Sequence, residues 1–251
     1  MPFNLFQRVL KAADLSQKEA GMKALFGSKS LCWKRLPKTP SFINGRIFSS
    51  NKISLPWFTY AATAQLLRWS LSDLVVIEYG SGSSTKFFHD NGSKLVYSQE
   101  DNAEWFKFVS ERIPKSDKIK YNLCTDKSNY VLSPSLAMHL KPGIILIDGS
   151  HREACALSTV EYVNKATKYD SPALIILDNS DWFGKTYSIL ATLEQYTPID
   201  YYGHGPFNSY SWCTTFFINK ESSDFKKLFP KPSRPAKPMI NGIQDNYSMD
   251  I

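Results

Sequence analysis

No stretch of the 251-residue chain approaches the ~18 consecutive apolar residues of a membrane-spanning helix. The first 21 residues break any apolar run with Arg8, Lys11, Asp14, Lys18 and Glu19, so neither a span nor a signal peptide is expected. Cysteine is scarce and scattered: Cys32, Cys124, Cys155 and Cys213 form no Cys-x-x-Cys pair. That spacing points to neither a zinc site nor a disulfide ladder, and it fits a reducing, cytoplasmic compartment. Internal repeats of about 20–50 residues are lacking too, which excludes solenoids and propellers. Acidic residues are nearly missing from positions 1–52, which hold two against ten Lys and Arg. Residues 53–219 carry 17 acids and 14 bases, and residues 220–238 two acids and six bases, so the net charge of +7 belongs to the ends. The middle therefore lacks the basic, aromatic-interleaved groove that would track phosphates, and nucleic acid is not an expected partner.

What is present is enough apolar material for a full core, 43% hydrophobic and 14% aromatic against 21% charged. The organisation expected is a basic N-terminal helical extension over 1–53, one α/β domain over 54–220 and a basic, Pro-rich tail over 221–251. Phe3, Phe6, Leu10 and Ala13 recur at helical spacing around Arg8 and Lys11. This reads first as a helix packed on the core with a solvated basic face, and second as an interfacial helix making peripheral contact with a membrane surface or an acidic partner.

From Leu74 onward, short apolar runs alternate with amphipathic stretches, the signature of βα units feeding a mostly parallel sheet. Strands are predicted over 74–80, 94–100, 119–125, 143–149 and 173–179, with helices over 102–113, 152–167 and 185–197. Runs 199–205 and 212–220 flank a Gly/Pro/Asn segment and predict an antiparallel pair closing the sheet. A further helix is predicted over 56–69, with Pro56 in its first turn.

The first strand runs into Glu78-Tyr79-Gly80-Ser81-Gly82-Ser83-Ser84-Thr85, where glycine lets backbone approach a ligand closely. Glu100 follows twenty residues after Gly80, the spacing at which a second strand offers a carboxylate to the ribose hydroxyls of an adenosine-containing cofactor. A dinucleotide fingerprint requires a third glycine where this chain has Thr85, and no Tyr-x-x-x-Lys pair supports a nicotinamide enzyme. The pattern Glu-x-Gly-x-Gly-x-Ser-Thr instead resembles motif I of the class I S-adenosylmethionine-dependent methyltransferases, over roughly residues 54–219. It resembles bacterial members with a Pro-Trp-x-Thr-Tyr segment ahead of motif I, here Pro56 to Tyr60.

That resemblance implies a Rossmann-like fold: a mostly parallel seven-stranded sheet with a C-terminal antiparallel hairpin and helices on both faces. It also implies S-adenosyl-L-methionine as cofactor, with Gly80, Gly82 and Ser83 at its methionine end and Glu78 ordering the loop beneath. Glu100 would take the ribose and Asp126 the adenine amino group. Neither Asp148-Gly149-Ser150-His151-Arg152 nor Asp178-Asn179-Ser180-Asp181-Trp182 resembles the Asn/Asp-Pro-Pro-Tyr motif of amino methylases. Asp148, Asp178 and Asn179 do resemble the triplet with which cation-dependent O-methyltransferases hold Mg2+. His151 is the metal-free candidate for general base, against a plain helix-cap histidine. His204, Arg152 and the aromatics Trp57, Tyr60 and Trp182 are further candidates for the acceptor pocket, while His89 and His139 are placed at helix ends without a role. The expected activity is O-methylation of a small molecule or saccharide, and the alternative is a non-catalytic methyltransferase-like module docking to a membrane or protein partner.

Overall fold

In a computed structural model, which describes residues 55–206 and 210–228, the five β-branched runs form one parallel set. They are β1 (Val75–Tyr79), β2 (Leu95–Glu100), β3 (Ile119–Leu123), β4 (Ile144–Ile147) and β5 (Leu174–Asp178). The last two strands, β6 (Thr197–Gly203) and β7 (Trp212–Ile218), pair antiparallel, and β7 also runs antiparallel to β5. The order across the seven-stranded sheet is β3-β2-β1-β4-β5-β7-β6, with the predicted antiparallel pair closing one edge. β4 and β5 are buried along their whole length, which is why they read as unbroken apolar runs rather than alternating ones. β6 is the opposite: it is largely exposed, begins two residues earlier than predicted and carries Pro198, as an edge strand can.

The helices are α1 (Tyr60–Leu66), α2 (Ser83–Asp90), α3 (Ala103–Ser110), α4 (Lys127–Tyr130), α5 (Pro134–Leu140), α6 (Arg152–Lys165), α7 (Gly184–Leu190) and α8 (Phe225–Leu228). Side-chain alternation along the strands sorts the core into two layers. Val76, Ile144, Leu146, Leu174, Ile176 and Phe216 pack with Phe58, Leu66 and Phe87 on the face carrying α1 and α2. Ile77, Ile145, Ile147, Ile175, Leu177 and Phe217 pack with Tyr130, Ala137, Cys155, Tyr162 and Leu190 on the face carrying α4 to α7. Helices thus cover both faces. None of the described helices is long and apolar enough to cross a membrane.

Three expectations are revised. α1 starts at Tyr60, because Thr59 rather than Pro56 begins it: the Thr59 hydroxyl accepts from the Ala62 N–H at 3.4 Å. α4 and α5 fill the stretch between β3 and β4, with Ser133 capping α5 and Pro134 inside its first turn, a start signal the sequence reading passed over. The fold also runs on past 220. Ser222 donates to the Ser171 carbonyl at 2.6 Å and the Leu228 side chain is fully buried, so residues 221–228 belong to the domain rather than to a tail. The predicted N-terminal extension and the rest of the tail lie outside the described residues.

Thr59 also ties α1 to the hairpin, its N–H donating to Thr214 Oγ1 at 3.1 Å and its hydroxyl to the Tyr201 carbonyl at 3.0 Å. Thr59→Val keeps the shape while removing the cap and the Tyr201 bond from a fully buried site. We expect a loss of about 2 kcal/mol in urea unfolding, with no change in the slope.

Candidate functional site

The strand order reverses between β1 and β4, so the crevice outside their carboxyl ends is where an open α/β sheet binds ligands. Two glycines close this point. Gly80 has φ +91°, and a Cβ there would lie 2.5 Å from the Gly149 Cα. A Cβ on Gly149 would lie 2.1 Å from the Tyr130 hydroxyl and 2.6 Å from the Gly80 Cα. The N–H groups of Asp148 and Gly149 both donate to the Tyr79 carbonyl, at 2.9 and 2.7 Å, which draws the two strand ends together. Gly82 differs. Its φ of 161° is extended backbone, and a Cβ would meet nothing closer than the Trp105 ring at 3.7 Å. The protein itself has no steric need for glycine at 82.

Two carboxylates hold the glycine loop. Glu78, fully buried at the end of β1, accepts from the hydroxyls of Ser84, of Thr85 at 2.6 Å and of Ser98 at 2.7 Å. Burial pushes its pKa up to about 7, with the three hydroxyls pulling it down. Glu78 is therefore satisfied within the protein and lies beneath the loop, pinning the start of α2 to β1 and β2. Glu100, 5% exposed, accepts on Oε2 from the Ser81 N–H at 3.1 Å and the Ser81 hydroxyl at 2.7 Å, and on Oε1 from the Asn102 N–H at 3.0 Å. A carboxylate has about four acceptor positions, so one on Oε1 remains. Ser81 is gripped from the other side by Trp105, whose indole N–H donates to its carbonyl at 2.8 Å.

Asp148 and Asp178 occupy the ends of the flanking strands, but the expected magnesium site does not form. The space between Asp148 Oδ1 and Asn179 Oδ1 is spanned by the Arg152 guanidinium, which lies 3.2 Å from the first and 3.4 Å from the second. The Asp178 carboxylate turns away into the sheet, accepting on Oδ1 from the Trp212 indole N–H at 3.0 Å and the Thr214 hydroxyl at 2.5 Å. Among the described residues no group of three His, Cys, Asp or Glu side chains converges to hold a metal. Burial pushes the Asp148 carboxyl up to about 6 against the opposing pull of Arg152. Burial, then repulsion from Asp148, hold Asp178 well above the usual range.

His151 sits in the left-handed region (φ 52°) as the residue capping α6, without a side-chain capping bond. Its exposed ring lies edge-on to Tyr130, and its Nε2 is 3.9 Å from Asp101 Oδ2. Asp101 follows β2 while His151 follows β4, so the pair reaches across the carboxyl end of β1. Sequence reasoning missed Asp101, which looked like any acid after Glu100. Asp126 is exposed at the start of α4 and makes no side-chain capping bond there.

The aromatics divide. Trp57 lies 6.1 Å from Trp105 beside the glycine loop, whereas Trp182 lies 5.4 Å from Tyr210 beside the start of β7. The Tyr60 N–H donates to the His204 carbonyl at 2.7 Å, so residues 56–60 cross the mouth of the sheet from α3 to the hairpin. His204 faces Tyr210 and Ser211, within the turn region suggested by its flanking glycines. His89 and His139 lie in the last turns of α2 and α5, as predicted.

No family model matches the chain, and no curated protein matches it by sequence. Solved structures do. An O-methyltransferase from Bacillus cereus in complex with SAH is 14% identical at a TM-score of 0.52, covering 75% of this chain and 100% of that one. The Methanococcus jannaschii fibrillarin pre-rRNA processing protein is 14% identical (TM-score 0.43, 64% and 75% covered). A ribosomal RNA methylase from Streptococcus thermophilus is 11% identical (TM-score 0.41, 61% and 91% covered). The chain has the Rossmann-like fold of the class I methyltransferases.

Glu78 ionises at a higher pH folded than the usual carboxyl range of an unfolded chain, so the folded state binds more protons between about pH 4.5 and pH 7. Stability contributed by this group is therefore full below that window and falls as pH rises through it. Glu78→Gln should remove that part of the decline, worth roughly 3 kcal/mol, when urea unfolding is compared across the window. A decline as steep as in the wild type would assign the pH dependence to Asp148 and Asp178 instead.

Proposed function

We propose that this chain is an S-adenosylmethionine-dependent methyltransferase that methylates a hydroxyl of a small molecule or saccharide. The observation that carries the reading is Gly82: a glycine without a steric role in the protein, in the loop at the switch point of a methyltransferase fold, next to Glu100. A residue kept small for no internal reason fits close approach by a ligand. When bound, the cofactor supplies an activated methyl group.

The chain's own residues then have distinct tasks. The backbone of Gly80, Gly82 and Ser83 borders the methionine end, and Glu78 fixes that loop from below. Glu100 offers its remaining acceptor position to the ribose, and Asp126 is the candidate partner of the adenine amino group. The general base falls to His151, because Asp148 is held by Arg152 and Asp178 by Trp212 and Thr214. His151 takes the proton of the acceptor hydroxyl, and Asp101, at ion-pair range, stabilises the imidazolium that results. Trp57, Tyr60 and Trp182 supply apolar faces for a ring or sugar. Activity and cofactor binding should survive exhaustive chelation.

Thermal unfolding with S-adenosylmethionine, S-adenosylhomocysteine or NAD needs no known acceptor. The first two, at about 100 times their Kd, should raise the midpoint by on the order of 5–10 °C, and NAD should not. Indifference to both methionine-derived ligands would sink the reading. Calorimetric titration of Glu100→Ala should show cofactor affinity weakened by roughly 10-fold or more. His151→Ala should lower turnover by about 100-fold or more while Kd for the cofactor stays within about twofold, and a matching loss of binding would place His151 in the cofactor pocket instead.

A further inference from the structure

Arg152 opens α6 directly after the left-handed His151 and turns its guanidinium back over the carboxyl ends of β4 and β5. It donates to three backbone carbonyls: Gly149 from Nε at 2.9 Å, Asp148 from Nη2 at 2.5 Å, and Asp178 from Nη1. It also donates to Asp148 Oδ1 at 3.2 Å and to Asn179 Oδ1 at 3.4 Å. Its plane lies 4.1 Å over the Phe183 ring, and its side chain is 10% exposed. Five oxygens from two strand ends, all hard ligands, thus converge on one buried cation. Both residues with positive φ at these ends, His151 and Asn179, flank it.

We infer that Arg152 is a built-in cation standing where a divalent ion would otherwise bridge the ends of β4 and β5, and that its removal would open a cation site lined by Asp148, Asn179 and the surrounding carbonyls. The chemistry favours this assignment. Guanidinium does not deprotonate in proteins, and its fork can satisfy oxygens from both chain ends at once, which a lysine ammonium does less well. Without it, the Asp148 carboxylate would lose its ion-pair partner next to carbonyls already aimed at a cation. Phe183 covers one face of the guanidinium. A single, delocalised positive charge also acidifies a hydroxyl far less than a dication does. The inference goes beyond methyl transfer and does not rest on it, since it concerns only which cation this pocket holds.

The test is thermal unfolding of the full chain with and without millimolar Mg2+ or Mn2+, in wild type, Arg152→Ala, Arg152→Lys and Arg152→Ala/Asp148→Asn. The wild-type midpoint should not respond to either ion. Arg152→Ala should melt roughly 5–15 °C lower, and either ion should recover a large part of that loss. The recovery should vanish in the double variant, and Arg152→Lys should sit between wild type and Arg152→Ala without responding to ions. A wild-type protein stabilised by either ion, or a folded Arg152→Ala protein stabilised by neither, overturns the assignment. If Arg152→Ala does not accumulate, Arg152→Ser, which also removes the guanidinium and vacates the space, expressed and purified with millimolar Mn2+, carries the same comparison.

Discussion

The close approach of Gly80 to Gly149 is the constraint on which the rest of the site depends. It sits where β1 and β4 diverge, and it lets the Tyr79 carbonyl take two N–H groups from the start of the β4 loop. Any side chain at either position would separate the strand ends, because the atoms it would meet are backbone or a buried tyrosine that cannot move aside. With the two loops pressed together, Glu78 is sealed beneath them and the loop after Gly80 is directed towards Glu100. On the other side, Arg152 is carried over the end of β5.

Two buried acids, Glu78 and Asp178, and the half-buried Asp148 at one sheet edge would ordinarily repel one another, and each is managed differently. Glu78 is surrounded by hydroxyls, which stabilise a carboxylate without adding charge. Asp178 is absorbed into the hairpin, where an indole and a threonine bind it and Thr59 extends the chain of hydrogen bonds to α1. Asp148 alone is met by a full positive charge. The outcome is a mouth whose floor is electrostatically settled, leaving His151 and Asp101 as the titratable pair facing outward across it.

Much of this was legible in the sequence. The central strand positions followed from apolar runs, fully buried in β4 and β5, and the antiparallel close from the spacing of its two runs. The glycine loop stood out because glycine so placed has few other uses. Residues invisible in advance were those whose role is set by a partner far along the chain. His151 stood out as a candidate base, but its partner Asp101, 50 positions earlier, did not, because nothing local marks it. Gly149 reads as an ordinary turn glycine until Gly80 is seen against it. The Asp148, Asp178, Asn179 triplet misled for the same reason: composition at two strand ends does not say which way a carboxylate turns.

The sequence by itself determined the alternation of strands and helices, the hairpin at the end and the loop from Glu78 to Thr85, since these depend on periodicity, local backbone freedom and burial, all short-range properties of the chain. Only the tertiary structure decided what each acid does. Orientation at a strand end depends on the cation, hydroxyl or indole that the neighbouring strand brings within 3 Å or so. Arg152, in the sequence a candidate for the acceptor pocket, became instead the centre of the β4–β5 edge because folding placed five oxygens around it.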